Sequence, residues 1–286
     1  MQKTHPLSIL FTVLAMGCIA LLDTTNKVVL SSVPLLMVLW FRYAFQALST
    51  TAFLLPKEGL SLFKTQRFSL QLLRGLLLFG CSFFGFKSLE HIPVAEFTAI
   101  GMLTPLLVTV LAKFFMKEQV SLARWLLIMG GFLGALMIVR PGGDVPLHAA
   151  IYPMCMVVLY ALFQILTSVM VKTESPLSMH FFTGWIGTAF ATCLVIGWWT
   201  TDVSLSQLGL MILVGLSGTL GHYLLILAYA RSPASSITPY LYSGIAFATL
   251  LGWLVFQHIP DFWAGTGITL IALCGIGSAL LNYYRQ

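Results

Sequence analysis

The sequence predicts an all-α integral membrane protein: ten transmembrane helices, built as two inverted five-helix repeats with both termini on the cytoplasmic side. Four observations predict it. The 286 residues are 58% hydrophobic and only 8% charged, with mean hydropathy +0.94, whereas a soluble domain carries about 25% charged residues and needs them to wet its surface. Apolar runs of the length that crosses a hydrocarbon core, roughly 20 residues, recur along the whole chain. Positive charges collect in alternate linkers, and one half of the chain can be laid on the other.

The runs lie at 6–29, 33–55, 70–89, 93–116, 121–140, 146–171, 177–199, 205–230, 234–256 and 261–283. Linkers are short, and only 56–69 has the length of a real polar loop. No β-barrel alternation is present, so helices are the way this backbone satisfies its polar groups in lipid. The first run continues past Asp23 with no small-residue cleavage pattern, which reads as a retained helix rather than a removed signal peptide.

Orientation follows from lysine and arginine. With the N-terminus cytoplasmic, inside positions hold Lys3, Lys57, Lys64, Arg67, Arg74, Lys113, Lys117, Arg124, Lys172, Arg231 and Arg285. Outside positions hold only Lys27, Lys87 and Arg140, and Arg42 lies within a span. This distribution accounts for the net charge of +6 without any dense basic cluster, so nucleic acid is not an expected partner. The partners expected are the lipid bilayer and a small-molecule substrate.

Residues 75–139 overlay 215–279 at a constant offset of 140, with Gly75 on Gly215, Pro93 on Pro233, Thr98 on Thr238 and Ser88 on Ala228. Near the start of each half the offset is 142, which matches Ser31–Pro34 to Thr173–Pro176. The repeats are therefore bounded as 1–143 and 144–286. Five spans per repeat is an odd number, so the halves cross the membrane in opposite senses, an architecture shared by many secondary transporters.

The stretch from Arg74 to Glu118, the Gly-rich segment ending at Gly142, and the counterpart at 224–260 together resemble the EamA-type branch of the drug/metabolite transporter superfamily. Asp23-x-x-x-Lys27 and Phe41-Arg42-Tyr43 are similar to that branch as well. The resemblance covers essentially the whole chain. It implies a central cavity lined mainly by helices 1, 3, 4, 6, 8 and 9, with helices 5 and 10 peripheral, and a metabolite as cargo. One position departs from the pattern: His258 stands where an acidic residue often ends helix 9, whereas Glu118 keeps it after helix 4.

Charges and polar groups inside spans are costly, about 2.5–3.5 kcal/mol for a central charge on insertion scales, and so mark cavities or partners. Asp23, Asn26 and Lys27 share one helix face at i, i+3 and i+4; they read as a polar cavity stripe with an Asp23–Lys27 pair, or as a structural ion pair with Lys27 snorkelling outward. Lys87 and Glu96 flank the turn between helices 3 and 4 and are expected to meet as a gate or hairpin clasp. Arg42, the deepest cation, either attracts a substrate carboxylate or bonds to carbonyls of a neighbouring helix. Tyr160, Gln164 and Ser168 form an uncharged stripe on helix 6, suited to a zwitterionic or heterocyclic ligand or to interhelical hydrogen bonds. His222 lies beside the Gly215, Gly218, Gly221 face and is a candidate for proton coupling or plain packing. Phe84 shares a face with Lys87 and is a candidate for stacking on the solute. In helix 9, Ser235, Pro239 and Tyr242 share one face and Ser236 and Tyr240 another, so one of the two tyrosines looks into the cavity.

Pro105, Pro153 and Pro239 lie well inside spans and bend them. Trp198 and Trp199 suit an interface belt. Gly130-x-x-x-Gly134 suits close helix packing. The five cysteines each sit in an apolar run, with no C-x-x-C, so neither disulfides nor a metal site is expected, and no cofactor. No P-loop is present, which leaves a gradient as the driving force, with or without protons. The function expected is a secondary-active or facilitative transporter of a small metabolite, an amino acid or similar amphipathic solute, in a bacterial inner membrane, as monomer or homodimer. A lipid or multidrug-type flippase is the alternative. An intramembrane enzyme would need paired aspartates, H-E-x-x-H or a serine with its base, and none of these patterns appears.

Overall fold

The computed structural model describes residues 6–104, 106–108, 110–111, 122–139, 147–232 and 240–284. Pro105, Pro239, Ser235, Ser236 and Glu118, together with Pro233, Thr238, Lys3, Lys113, Lys117, Arg140 and Arg285, lie outside these residues. Each apolar run carries an α-helix among the described residues: α1 (Pro6–Val29), α2 (Leu35–Glu58), α3 (Phe68–Leu89), α4 (Val94–Gly101), α5 (Leu122–Val139), α6 (Leu147–Met170), α7 (Pro176–Val195), α8 (Leu205–Arg231), α9 (Ser243–Phe256) and α10 (Phe262–Tyr284). No strand occurs among the described residues.

Five of the helices, α1, α3, α6, α7 with its short extension to Trp198, and α8, are long and apolar enough to cross a membrane by length and composition. The apolar segments of α4, α5, α9 and α10 are shorter.

Local signals set the helix ends. Ser204 caps α8 by accepting from the Gln207 backbone N–H, while the Gln207 side chain accepts from Ser204, a reciprocal capping box. At the end of α9, Gln257 adopts the left-handed conformation with φ 54°. Its N–H donates to the Trp253 carbonyl at 2.9 Å, which closes the helix and turns the chain at His258.

The helices pair across the two halves rather than within them. The most extensive contacts are α1 with α8, α5 with α10, α2 with α7 and α3 with α6. Exchanging each helix for its counterpart five places on turns α1–α8 into α6–α3 and leaves α2–α7 and α5–α10 unchanged, as a two-fold relation requires. The glycines matched at offset 140 confirm this in atomic detail. Gly75 of α3 receives the Ile186 side chain of α7, and Gly215 of α8 receives Phe45 of α2, each with no room for a Cβ. In the peripheral pair, a Cβ on Gly134 of α5 would lie 2.8 Å from the Gly267 carbonyl oxygen of α10, so this glycine sets a close backbone approach. Large apolar side chains such as Leu126, Leu254 and Leu273 are exposed on the outside of the bundle, the opposite of a soluble protein's distribution.

Candidate functional site

Inside the bundle, a cavity of about 650 Å³, its open mouth included, is walled by six helices. Ile19, Leu22 and Asp23 come from α1, Arg42 from α2, and Leu78, Cys81, Ser82, Gly85 and Phe86 from α3. Phe97, Thr98 and Gly101 of α4 and Met102 just after it form another wall, completed by Met156 and Tyr160 of α6 and His222 of α8. Helical periodicity explains the grouping: residues 78, 82 and 85 of α3 recur at i, i+4 and i+7 and share one face. The mainly apolar lining with a few converging polar groups is typical of small-molecule sites.

The polar centre is Arg42, which is only 2% exposed. Its Nη1 donates to Ser82 Oγ at 2.8 Å and its Nη2 to His222 Nε2 at 2.9 Å. Guanidinium has no acceptor capacity, so His222 Nε2 must carry a lone pair in this arrangement. Ser82 spends its own proton on the Leu78 carbonyl, 2.8 Å away, and therefore accepts from both Arg42 and the Tyr43 hydroxyl, the latter at 2.9 Å. The cation also lies 4.5 Å from the centre of the Tyr43 ring. Ser82 and His222 occupy matched positions of the two halves at offset 140, so one side chain of α2 ties together equivalent points of the repeat.

Of the residues singled out in the sequence, Asp23, Arg42, Tyr160 and His222 come together on this cavity wall. Tyr160 stacks on Phe163 at 5.9 Å and meets the His222 ring edge-on at 6.4 Å. The others lie elsewhere. Asn26 is fully buried, with neither side-chain nitrogen nor oxygen hydrogen-bonded to a described residue. Phe84 packs against Phe83 and stacks on Tyr152. Gln164 accepts from the Tyr229 hydroxyl at 3.1 Å. Neither Tyr240 nor Tyr242 is among the lining residues: Tyr242 turns its hydroxyl to the Met102 carbonyl, 3.3 Å away, and the Tyr240 backbone carbonyl accepts from Ser243. Helix 2, absent from the expected lining, contributes Arg42, while the described part of α9 contributes no wall residue.

The expected ion pairs are rearranged. Lys87 does not meet Glu96; it pairs with Glu90 at 2.8 Å on the surface, because one helical turn brings those two together sooner than the hairpin does. Lys27 does not reach Asp23 but donates to the Leu89 and Ile92 carbonyls at 2.7 and 2.9 Å, capping the end of α3. Glu96, 5% exposed, takes a hydrogen bond from His258 Nε2 at 2.8 Å. This bond ties the first half to the loop after α9, and the left-handed cap at Gln257 is what points the loop at α4.

A second buried cation went unrecognised in the sequence, where it counted as one more cytoplasmic charge. Arg74 is 1% exposed. Its Nε donates to Thr167 Oγ1 at 2.8 Å and its Nη1 to the Met179 carbonyl at 3.0 Å and to the Thr183 hydroxyl, with the Phe163 ring 4.5 Å beneath it. Thr167 and Thr183, separated from Arg74 by about a hundred positions, carry no local signal for this. Ser82 was recoverable: laying 75–139 on 215–279 places it on His222. No group of three or more His, Cys, Asp or Glu close enough to hold a metal occurs among the described residues.

The EamA-like transporter family model matches the chain twice, at residues 6–140 and 147–282. The chain belongs to this family. Within it, the chain is 27% identical over 263 residues to an S-adenosylmethionine uptake transporter of Rickettsia bellii, covering 91% of this chain and 88% of that protein. It is 25% identical to a riboflavin transporter of Brucella anthropi, covering 84% and 87%. It is 26% identical to a pseudopaline exporter of Pseudomonas aeruginosa, covering 93% and 94%. A solved crystal structure shares the fold, with TM-score 0.70, 17% identity and 98% of both chains covered. The two EamA matches coincide with the two halves that pack on each other here. This EamA protein is a membrane transporter of the drug/metabolite type and not an enzyme.

Proposed function

We propose that this EamA protein is a secondary-active or facilitative carrier of a small amphipathic metabolite, an amino acid or a chemically similar solute, in a bacterial inner membrane. Ten spans in two inverted repeats, 1–143 and 144–286, with both termini cytoplasmic, rock about the central cavity to expose it to each side in turn. The observation that carries this reading is the cavity itself: it lies between the two halves, is walled by helices of both, and holds Arg42, Asp23, Tyr160 and His222 against otherwise apolar walls. Alternating access needs contacts between the halves that can break, and Glu96–His258 and Arg42–His222 are of that kind. Proton coupling would act through His222 and Asp23. The relatives named for uptake and for export support a shared carrier mechanism for either direction.

Reconstitution tests this. Purified protein in proteoliposomes, offered labelled amino acids, nucleosides, S-adenosylmethionine and riboflavin under set solute and proton gradients, is expected to give saturable, gradient-sensitive flux of at least one of them. Absence of such flux for every solute, from protein shown to be folded, removes the carrier reading.

A further inference from the structure

Arg42 carries a charge whose electrostatic counterpart in the chain, Asp23 on the same cavity wall, is not in contact with it. It is all but fully buried inside an apolar bundle, where an ion is expensive without a counter-charge. Among the described residues no carboxylate lies within ion-pair distance of it. Its two hydrogen-bond partners, Ser82 and the lone pair of His222, are uncharged, and its Nε–H has no acceptor among the described residues. A guanidinium fork of this kind matches a carboxylate or a phosphate bidentately. Of the two it is the carboxylate, with a single negative charge, that one guanidinium neutralises, since a phosphate monoester carries about −1.5 to −2. The same cavity holds Asp23, whose carboxylate makes no hydrogen bond and no ion pair with a described residue. Two opposite charges, each lacking a direct partner and both on the wall of one mostly apolar space, define a dipolar guest.

We propose that Arg42 and Asp23 set the substrate class: the transported solute carries a carboxylate that binds Arg42 and a cationic nitrogen that faces Asp23, with its apolar body against Phe97, Met102 and Met156. This rests on the central cavity being the substrate site and assigns which end of the solute goes where. On binding, the carboxylate takes the open N–H groups of Arg42, and Ser82 and His222 hold the fork in place from the two halves. Requirement for the carboxylate is then stricter than requirement for the nitrogen, because Arg42 is more deeply buried than Asp23 and has less access to water as a substitute.

Matched probes test the assignment without altering the protein. Thermal shift and proteoliposome uptake are measured for L-phenylalanine, L-leucine and S-adenosylmethionine, each beside its amide or decarboxylated analogue, and beside 3-phenylpropionate and riboflavin. At least one amino acid probe is expected to stabilise and to be taken up, with its carboxylate-free analogue weaker by about 10-fold or more, the usual worth of hydrogen bonds to a charged group; 3-phenylpropionate is expected in between. Arg42→Lys, which keeps charge but loses the fork, is expected to weaken the carboxylate probes by a similar factor and to leave the amides unchanged. Equal binding of acid and amide, binding of riboflavin alone, or no stabilisation by any carboxylate overturns the proposal. Gradient-driven riboflavin flux with no carboxylate flux would do so while leaving the carrier reading intact; absence of all flux would remove the carrier reading itself.

Discussion

Near-complete burial without an anion in contact is what distinguishes Arg42 and Arg74 from the other described cations, and their different surroundings predict different mutant behaviour. Arg74 spends its N–H groups on Thr167, Thr183 and the Met179 carbonyl, linking α3 to α6 and α7. Arg74→Ala removes three hydrogen bonds between helices and leaves a void over Phe163, so a loss of about 2–5 kcal/mol is expected, read as a lowered Tm in detergent. An unchanged Tm would show that the bonds to Arg74 do not hold these helices together. Tyr160 and Phe84 form a second contrast. Tyr160 is a cavity wall residue, whereas Phe84 packs on Phe83 and Tyr152. For the solute found by reconstitution, Tyr160→Ala is expected to raise KM about 3- to 10-fold, the worth of a lost aromatic contact, and Phe84→Ala to change it less. The reverse order of effects would move the binding surface one turn along α3.

Among the helices, the matched glycines decide how closely the halves approach. Gly75 and Gly215 each accept a large side chain from α7 or α2 where a Cβ has no space. Substituting either by valine forces neighbouring helices apart and is expected to cost about 1–3 kcal/mol, as overpacking does, measured by thermal unfolding. Gly197→Ala is the control: a Cβ there meets nothing within 4 Å, and no change is expected. If Gly75→Val and Gly197→Ala behave alike, the close packing of α3 on α7 does not exist in the membrane. The offset that paired Gly75 with Gly215 was readable from the chain, but their partners Ile186 and Phe45 were not, since a helix's apolar residues do not say which neighbour receives them.

For the whole molecule, orientation and gating are the quantities open to measurement. In a background lacking the native cysteines, a membrane-impermeant thiol reagent added outside is expected to label Asp202→Cys and to spare Lys64→Cys; the opposite pattern would overturn the charge-based topology. The Glu96–His258 bond joins the halves at one end of the bundle. Its removal by His258→Ala is expected to raise the accessibility of a cysteine at Ser82 from the side where α3 ends, and unchanged labelling would show that this contact closes nothing.

Composition and periodicity alone determined that the chain is helical, membrane-embedded and duplicated, because lipid forces each span to declare itself as a long apolar run and forces polar residues to be few and noticeable. Asp23, Arg42, Tyr160 and His222 were visible for that reason. Only the tertiary structure decided which of the noticeable residues share a cavity. It brought Arg42 between Ser82 and His222, turned Lys27 onto the Leu89 and Ile92 carbonyls, handed Lys87 to Glu90 and Glu96 to His258, and turned Tyr242 onto the Met102 carbonyl. The physical reason is that hydropathy depends on one residue at a time, whereas a buried charge is settled by partners up to 180 positions away, and their arrival is set by helix packing that no local pattern encodes.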